Sequence, residues 1–530
     1  MTARRLTSPR SSASRRTDTR HRGRAHAVSA LVLTLAPMVA GGNAHAQETP
    51  AQFAQARAFI ERAVQQDSLP SVTVAVAKGG RVLWAQGFGY ADIQRRIAAT
   101  PETMYSLASI SKPITATALM RLVDAGRIQL DRPANAYLGE ARIHSDVWSP
   151  DDATVQRVLS HSSGLPLHYE FFYEGESHEP RSTDDGIARY AVLVSPPGTL
   201  YQYSNLGYGV LDRILELQHG RAYADVLRSE VIEPLGMTHT RVGTGAGLGD
   251  AAAVRYGPDN TPVSFYDFDH RGGSAVYASA LDLVRFGNYH LGLPSQRRTP
   301  ILRDETRVLM QQPVSAGATT DGYGLGWGIV ADDNGYRRVA HTGGMPGVST
   351  VLNLYPEENV VVVVLTNRSN GWTGRIAAEL AAAVLPDYRS TMDARRAAAE
   401  AERNVTAGGS GSDDGVNLPV ALHGRWSGVI HTPDDTVTLV LDVRERGDVH
   451  VRMGNDLETV LNEVSAPAPD RLVGRFAGTL PDEHARRHPH SILLQLVLRD
   501  GVLEGQVSAQ TTGWPYWFAL TSFARLERMD

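Results

Sequence analysis

Val72, Val74 and Val76 alternate with small or polar residues and run into Gly79-Gly80, after which Val82 and Trp84 resume the alternation. A period of two on either side of two glycines predicts a β-hairpin with a two-residue turn. Ile114, Ala118, Leu122 and Ala125 then recur at helical spacing, with Gly126 where a C-terminal cap would stand. Val210, Leu211, Ile214 and Leu215, closed by Gly220, predict a second helix. Ser279 and Asp282 form a capping-box pattern ahead of Leu283, Val284 and Phe286. Residues 323–330, 348–355 and 360–365 read as consecutive strands, and 376–385 as a helix. Residues 47–388 thus predict an α+β domain, an antiparallel sheet flanked by helices with an inserted helical region.

The pattern then changes. An Ala/Arg/Glu-rich stretch at 393–403 suggests a short polar helix, and the run Gly408 to Gly415 reads as flexible, so 389–418 is expected to be a linker. Beyond it, Val437, Leu439, Leu441 and Val443 alternate, as do Ile492, Leu494, Leu496 and Leu498. Asp500-Gly501 turns the chain into a strand at 502–508, and Trp514, Tyr516, Phe518 and Leu520 make a final aromatic strand. Residues 419–530 therefore predict an all-β, barrel-like domain.

At the other end, residues 1–46 hold eight arginines against one aspartate, an apolar stretch at 28–40 and Ala44-His45-Ala46 before Gln47. This three-part pattern predicts a signal peptide cleaved after Ala46 and an exported, periplasmic or secreted protein. No later apolar run reaches membrane-spanning length, so no stable membrane anchor is expected. The whole chain of 530 residues carries a formal charge of −5, and removing the basic leader makes the remainder more acidic. Such a surface has no electrostatic footprint for nucleic acid.

Cysteine is absent, which excludes disulfides, thiolate nucleophiles, iron–sulfur clusters, Cys-ligated zinc and a lipid-modified N-terminal cysteine. Of the 52 basic residues only Lys78 and Lys112 are lysines. Arginine serves wherever a plain positive charge suffices, so a retained lysine draws attention to what a neutral amine can do.

Lys112 closes Ser109-Ile110-Ser111-Lys112 at the start of a predicted helix. Three residues of helix bring Ser109 and Lys112 to one face, near free backbone N–H groups and the positive end of the helix dipole. Pro113 suits that first turn, where its missing N–H would have no partner. A serine hydroxyl needs a base to become a nucleophile, and a desolvated lysine can be that base where arginine cannot. Tyr203-Ser204-Asn205 follows a Pro-Gly turn and precedes a helix, placing a phenol for proton relay and an amide for a substrate carbonyl. His341-Thr342-Gly343-Gly344 leads into a strand, where glycines let a substrate backbone align as an added strand. Each element singly also has a plain structural account: a surface lysine, an asparagine N-cap beside a core tyrosine, and a glycine-rich strand bend. There is no G-x-S-x-G elbow and no H-E-x-x-H, and His484, His488 and His490 read as a charged surface loop, not a metal site.

In this order the three elements resemble the serine-reactive, penicillin-recognising family of class C β-lactamases, D-alanyl-D-alanine carboxypeptidases and related esterases and D-amino-acid peptidases. The resemblance covers about residues 50–388. It extends to Leu122-Val123-Asp124-Ala125-Gly126, to Ser160-His161-Ser162-Ser163-Gly164-Leu165-Pro166, and to Gly272-Gly273 with Ser279 and Asp282-Leu283. It implies a β-lactamase/transpeptidase-like fold, with Ser109 the acylated nucleophile, Lys112 its base and Tyr203 the second acid/base group. Asn205, His341, Thr342 and Gly343 would bind substrate, and the backbone N–H groups of Ser109 and Gly344 would form the oxyanion hole. No cofactor or metal is implied.

One departure bears on substrate. His341 stands where many β-lactamases have lysine, and a histidine, mostly neutral at pH 7, holds a carboxylate less firmly. The resemblance with this departure implies a serine hydrolase acting on D-amino-acid peptides or amides, of carboxypeptidase or peptidase type. Esterase or weak class C-like β-lactamase action is the second expectation, and a non-catalytic binding or sensing protein the third. The C-terminal domain resembles, more loosely, the lipocalin-like modules attached to some family members.

Overall fold

The computed structural model describes residues 49–178, 180–293, 300–314, 321–407, 417–445, 447–514 and 516–529. The predicted signal peptide and the predicted glycine-rich run Gly408 to Gly415 lie outside these residues.

The hairpin of Ser71–Lys78 and Arg81–Asp92 forms around Gly79-Gly80, both with positive φ. It is completed across the chain: Ser71–Lys78 pairs antiparallel with Val360–Thr366, with Val74 opposite Val364 and Val76 opposite Val362. From there Val348–Tyr355, Tyr336–Met345 and Gly328–Asp333 follow as antiparallel neighbours in an eight-stranded sheet. Alternation sorts the side chains onto two faces. Val72, Val74 and Val76 join Val360, Val362 and Val364 under the helices Ala54–Gln66 and Thr373–Ala382. Ala75, Ala77, Val361, Val363 and Leu365 join the core containing Ile114, Leu283 and Phe286. Both faces of Val360–Thr366 are covered, which is why that strand reads as an unbroken apolar run.

The predicted strand 323–330 is interrupted. Gly322–Tyr323 and Gly328–Asp333 are joined by a turn closed by Gly324 N–H donating to the Trp327 carbonyl at 2.7 Å. Gly326 turns with φ +92°, and a Cβ there would stand 2.7 Å from Ala116 Cβ on the helix Ser111–Asp124. The sheet gives way here because the turn presses against that helix.

The second sheet is antiparallel, and its path through nine strands begins at Thr459–Val460 and ends at Asn462–Ser465. Only Leu461 separates these two ends in sequence, so the sheet curls into a nearly closed barrel, filled by Trp426, Leu441, Leu472, Leu494 and Leu526. Its last strand is Phe518–Arg528 and does not include Trp514 or Tyr516 as the alternation predicted. Pro515 has no N–H to give a ladder, and the segment before Phe518 leaves the sheet to pack on the first domain, with Tyr516 edge-on to Tyr173 at 5.3 Å.

A strand of the first domain joins this second sheet. Tyr169–Tyr173 pairs with Phe518 and Ala519 on one side and with Tyr266–Phe268 on the other. The expected linker begins as the helix Tyr388–Ala407, longer than the 393–403 predicted. By its contacts Glu48–Asp530 is a single compact unit. Among the described residues no helix is long and apolar enough to cross a membrane.

Candidate active site

Ser109 sits in the short 3-10 turn Ala108–Ile110 that feeds the helix Ser111–Asp124. Ala108 holds φ +48°, a left-handed conformation that costs an L-residue about 1–2 kcal/mol. Packing enforces it: Leu107, Ala108 and Ile110 are fully buried, and only Ser109 of the turn reaches partial exposure. The turn is tied down by Leu107 N–H to the Val276 carbonyl at 2.9 Å and by Thr350 Oγ1 to the Leu107 carbonyl at 2.9 Å.

Gly343 is required by that packing. A Cβ on it would lie 2.0 Å from the Leu107 carbonyl oxygen and 2.3 Å from Thr350 Oγ1. Gly344 has nothing within 4 Å on its Cβ side, and Thr342 and Gly344 are exposed where His341 and Gly343 are buried. Strand alternation therefore turns one face of His341–Gly344 to the Ser109 turn and leaves the other open.

Lys112 is fully buried, with Nζ 3.1 Å from Ser109 Oγ, 2.7 Å from Asn205 Oδ1 and 3.2 Å from the Gly273 carbonyl. No carboxylate pairs with it among the described residues, and burial drives its pKa well below the usual lysine value. A neutral amine has two N–H donors and one lone pair. The two acceptors that can only accept, Asn205 Oδ1 and Gly273 O, take the donors. When the amine is neutral, its lone pair is the group left for the Ser109 hydroxyl proton. Gly273 allows this approach, since a Cβ there would come within 3.1 Å of Nζ.

Asn205 is free for this contact because it is not the helix cap. Ser204 is, its Oγ accepting from Gly207 N–H at 2.8 Å at the head of the helix Asn205–His219. Tyr203, partly exposed, brings its ring centroid within 4.7 Å of Nζ. Burial raises its phenol above the ordinary tyrosine range, and a hydrogen bond with Ser109 offsets only part of that. It is therefore protonated at neutral pH.

His341 is 7% exposed and anchored at both nitrogens. Nδ1 lies 2.7 Å from the Thr342 carbonyl, which only accepts, so Nδ1 carries the proton and Nε2 accepts from Tyr323 OH at 2.8 Å. Burial, with Lys112 adding to it, pushes its pKa down to about 3. The residue in the strand motif is thus a neutral imidazole whose acceptor nitrogen is already used.

Sequence reasoning met Tyr323 only as the first residue of the predicted strand 323–330, with no role at the site, and took His161 only as part of a loop match. His161 Nδ1 accepts from Ser204 N–H at 3.0 Å, and its ring lies 4.3 Å from Tyr203 and 4.6 Å from Tyr323. His161, Tyr203, Tyr323 and His341 make one wall of the site.

Behind Gly273, His270 Nδ1 meets Asp269 Oδ1 at 2.7 Å and His168 Nε2 meets Asp269 Oδ2 at 2.6 Å. Burial opposes the charged forms, yet His168 holds Asp269 below the usual carboxylate range and is itself raised by it. Next to this pair lies the cluster that was expected to be a surface loop. His484 is 3% exposed, its Nδ1 hydrogen-bonded to Glu170 and its Nε2 accepting from Arg181 Nε at 2.9 Å. Arg487 reaches Glu170 at 2.7 Å and Glu176 at 3.0 Å, and His488 reaches Glu176 at 2.6 Å. The residues are polar because they are paired across the domain junction, not because they face water. Among the described residues no group of three or more His, Cys, Asp or Glu is arranged to hold a metal.

Comparison with known proteins bears on the fold and the family. The family model described as Beta-lactamase matches residues 56–385. Penicillin-binding protein 4 of Amycolatopsis lactamdurans is 30% identical over 292 residues, 51% of this chain and 74% of that protein. Protein Flp of Staphylococcus aureus (strain MRSA252) is 24% identical over 335 residues, 61% of this chain, and the match spans only 64% of Flp's length. The crystal structure of SurE with D-Leu superposes with a TM-score of 0.56 at 19% identity, covering 90% of this chain and all of that one, which shows a shared fold. With a match that begins in the helix ahead of the first hairpin and ends just past the helix behind the last strand of the first sheet, the chain belongs to the Beta-lactamase family of serine hydrolases.

Proposed function

We propose that this protein is an exported hydrolase that forms an acyl-enzyme at Ser109 and cleaves amides or peptides of D-amino acids. The observation that carries the reading is the fully buried Lys112 Nζ, 3.1 Å from Ser109 Oγ, with no carboxylate paired to it among the described residues. In the first half-reaction Lys112 takes the Ser109 hydroxyl proton as Oγ attacks the acyl carbon. Charge builds on the acyl oxygen between the N–H groups of Ser109 and Gly344, where each such donor contributes about 3–4 kcal/mol. Tyr203 then protonates the leaving amine and recovers its proton from Lys112. Water, deprotonated through the same pair, attacks the ester carbonyl and releases Ser109.

The leaving-group side refines the substrate. His341 is neutral and its acceptor nitrogen is bonded to Tyr323, so it adds no positive charge for a C-terminal carboxylate. This favours amides, peptide N-terminal units or esters over the carboxypeptidase type. D-configuration is supported by the D-Leu in the SurE structure and by penicillin-binding relatives. A panel of D- and L-aminoacyl p-nitroanilides, matched esters and a chromogenic cephalosporin tests this, using protein whose N-terminal sequence on recovery from the culture begins at Gln47. D-anilides are expected to be cleaved well ahead of L-anilides and of the cephalosporin. Preference for L-anilides, or fast cephalosporin hydrolysis, would reject the D-amide assignment.

A further inference from the structure

Two arginines are buried near the domain junction, and the molecule treats them differently. Arg487 is neutralised by Glu170 and Glu176. Arg255 is 9% exposed, pairs with no carboxylate among the described residues, and has a fully buried Nη1 without a hydrogen-bond partner. Its guanidinium carbon lies 3.7 Å from the centroid of the Tyr266 ring, with Tyr173 and Tyr277 as its other electrostatic neighbours. Burial raises the Tyr266 and Tyr173 phenols above their ordinary range even with Arg255 alongside, so they stay neutral. A buried cation without an anion is unfavourable, and ring stacking offsets only part of that.

Arg255 is also placed at one end of the site. Gly347, with φ +75°, allows the approach, since a Cβ there would stand 2.6 Å from Arg255 Cβ. Pro346 and Gly347 follow directly on the open Gly344 and Met345, and Tyr266 OH donates to the Pro346 carbonyl at 2.9 Å. Tyr266, Met345, Val348 and Phe171 share one cluster with Ala108, the neighbour of the nucleophile, and Tyr516 and Trp517 of the C-terminal region pack over it. The proton donor Tyr203 and the neutral His341 stand at the other end of the same strand, which makes that end the leaving-group side. The acyl side is the end that holds Arg255, which hydrogen-bonds Tyr266 but pairs with no carboxylate among the described residues.

We propose that Arg255 anchors a carboxylate carried by the acyl part of the substrate, so that preferred acyl donors are activated at one end and anionic at the other. Short dicarboxylic acids and acidic amino acids have that chemistry. The inference rests on Ser109 acylation as described above and adds the charge of the acyl group.

The test compares p-nitrophenyl hydrogen glutarate with the p-nitrophenyl ester of monomethyl glutarate, equal in length but uncharged. Wild-type kcat/KM is expected to favour the anionic ester by about tenfold or more, as a charge-assisted pair would give, and that preference should shrink in high salt. Arg255→Met should abolish the preference and leave the neutral ester within about threefold of wild type. Arg255→Lys should keep part of it, and it replaces the methionine variant if that protein does not fold. Equal rates for the two esters on wild type, or equal losses on both in a folded variant, would overturn the anchor while leaving Ser109 acylation standing. If neither ester acylates Ser109, the reading beneath it fails as well.

Discussion

Replacing Lys112 by methionine is expected to lower acylation of Ser109 by at least about 10³-fold, with kcat falling along with kcat/KM. Methionine fills the same volume but has no lone pair for the hydroxyl proton. Lys112→Arg should be equally inactive, because it keeps a charge and cannot serve as a base near neutral pH. The two variants differ in stability. The folded-state pKa of Lys112 is depressed by burial, so the unfolded chain binds the proton more tightly. Between the depressed value and the ordinary lysine pKa, wild-type stability therefore rises with pH. Lys112→Met should lose that slope, since it has nothing to titrate, and Lys112→Arg should be destabilised at every pH by a permanent buried charge. The acid limb of the wild-type rate profile should report the same group, activity falling as Lys112 takes up a proton. Activity within tenfold of wild type in either variant would remove the base from Lys112.

Glu170→Ala is expected to cost about 3–5 kcal/mol, the usual consequence of leaving buried charge unpaired. Glu170 is 1% exposed and lies on Tyr169–Tyr173, the strand shared between the first domain and the second sheet. It accepts from Arg487 at 2.7 Å and from His484, both contributed by the C-terminal domain. Without it Arg487 keeps one of its two carboxylates, Glu176, and His484 Nδ1 loses its partner. Glu170→Gln retains an acceptor for the hydrogen bonds but not the charge and should cost less. Denaturant unfolding followed separately by probes in each domain reads both the magnitude and the weakened junction. A loss below about 1 kcal/mol in Glu170→Ala would mean the junction is held by its strand pairing and other contacts and not by the Glu170 pairs.

How far the sequence spoke depended on how local each feature is. The valine hairpin and the helix from Ser111 were legible because alternation and spacing are set by neighbours a few residues apart. Ser109 and Lys112 were legible for the same reason, being one helical turn apart. Tyr203 and His341 were singled out by their motifs and given roles by the resemblance, and the structure adds that burial keeps His341 neutral while Tyr323, 18 residues away, occupies its Nε2. His484 was misread as surface because its partner Glu170 lies 314 residues earlier, and a polar residue paired at that distance looks like a solvated one. Arg255 looked ordinary in a chain rich in arginine. Its meaning lies in what does not face it. The strand expected at Trp514 failed at Pro515, a local signal outweighed by the aromatic alternation around it.

Acylation of Ser109 can be read by intact-mass spectrometry of acid-quenched protein. Wild type and Ser109→Ala would be sampled over time with a neutral activated ester and with benzylpenicillin. The account predicts a single acyl mass increment on wild type, located by peptide mapping to Ser109 and absent from Ser109→Ala, forming faster with the ester than with the carboxylate-bearing drug. An increment of the same size on Ser109→Ala, or none on wild type with either reagent, would contradict it.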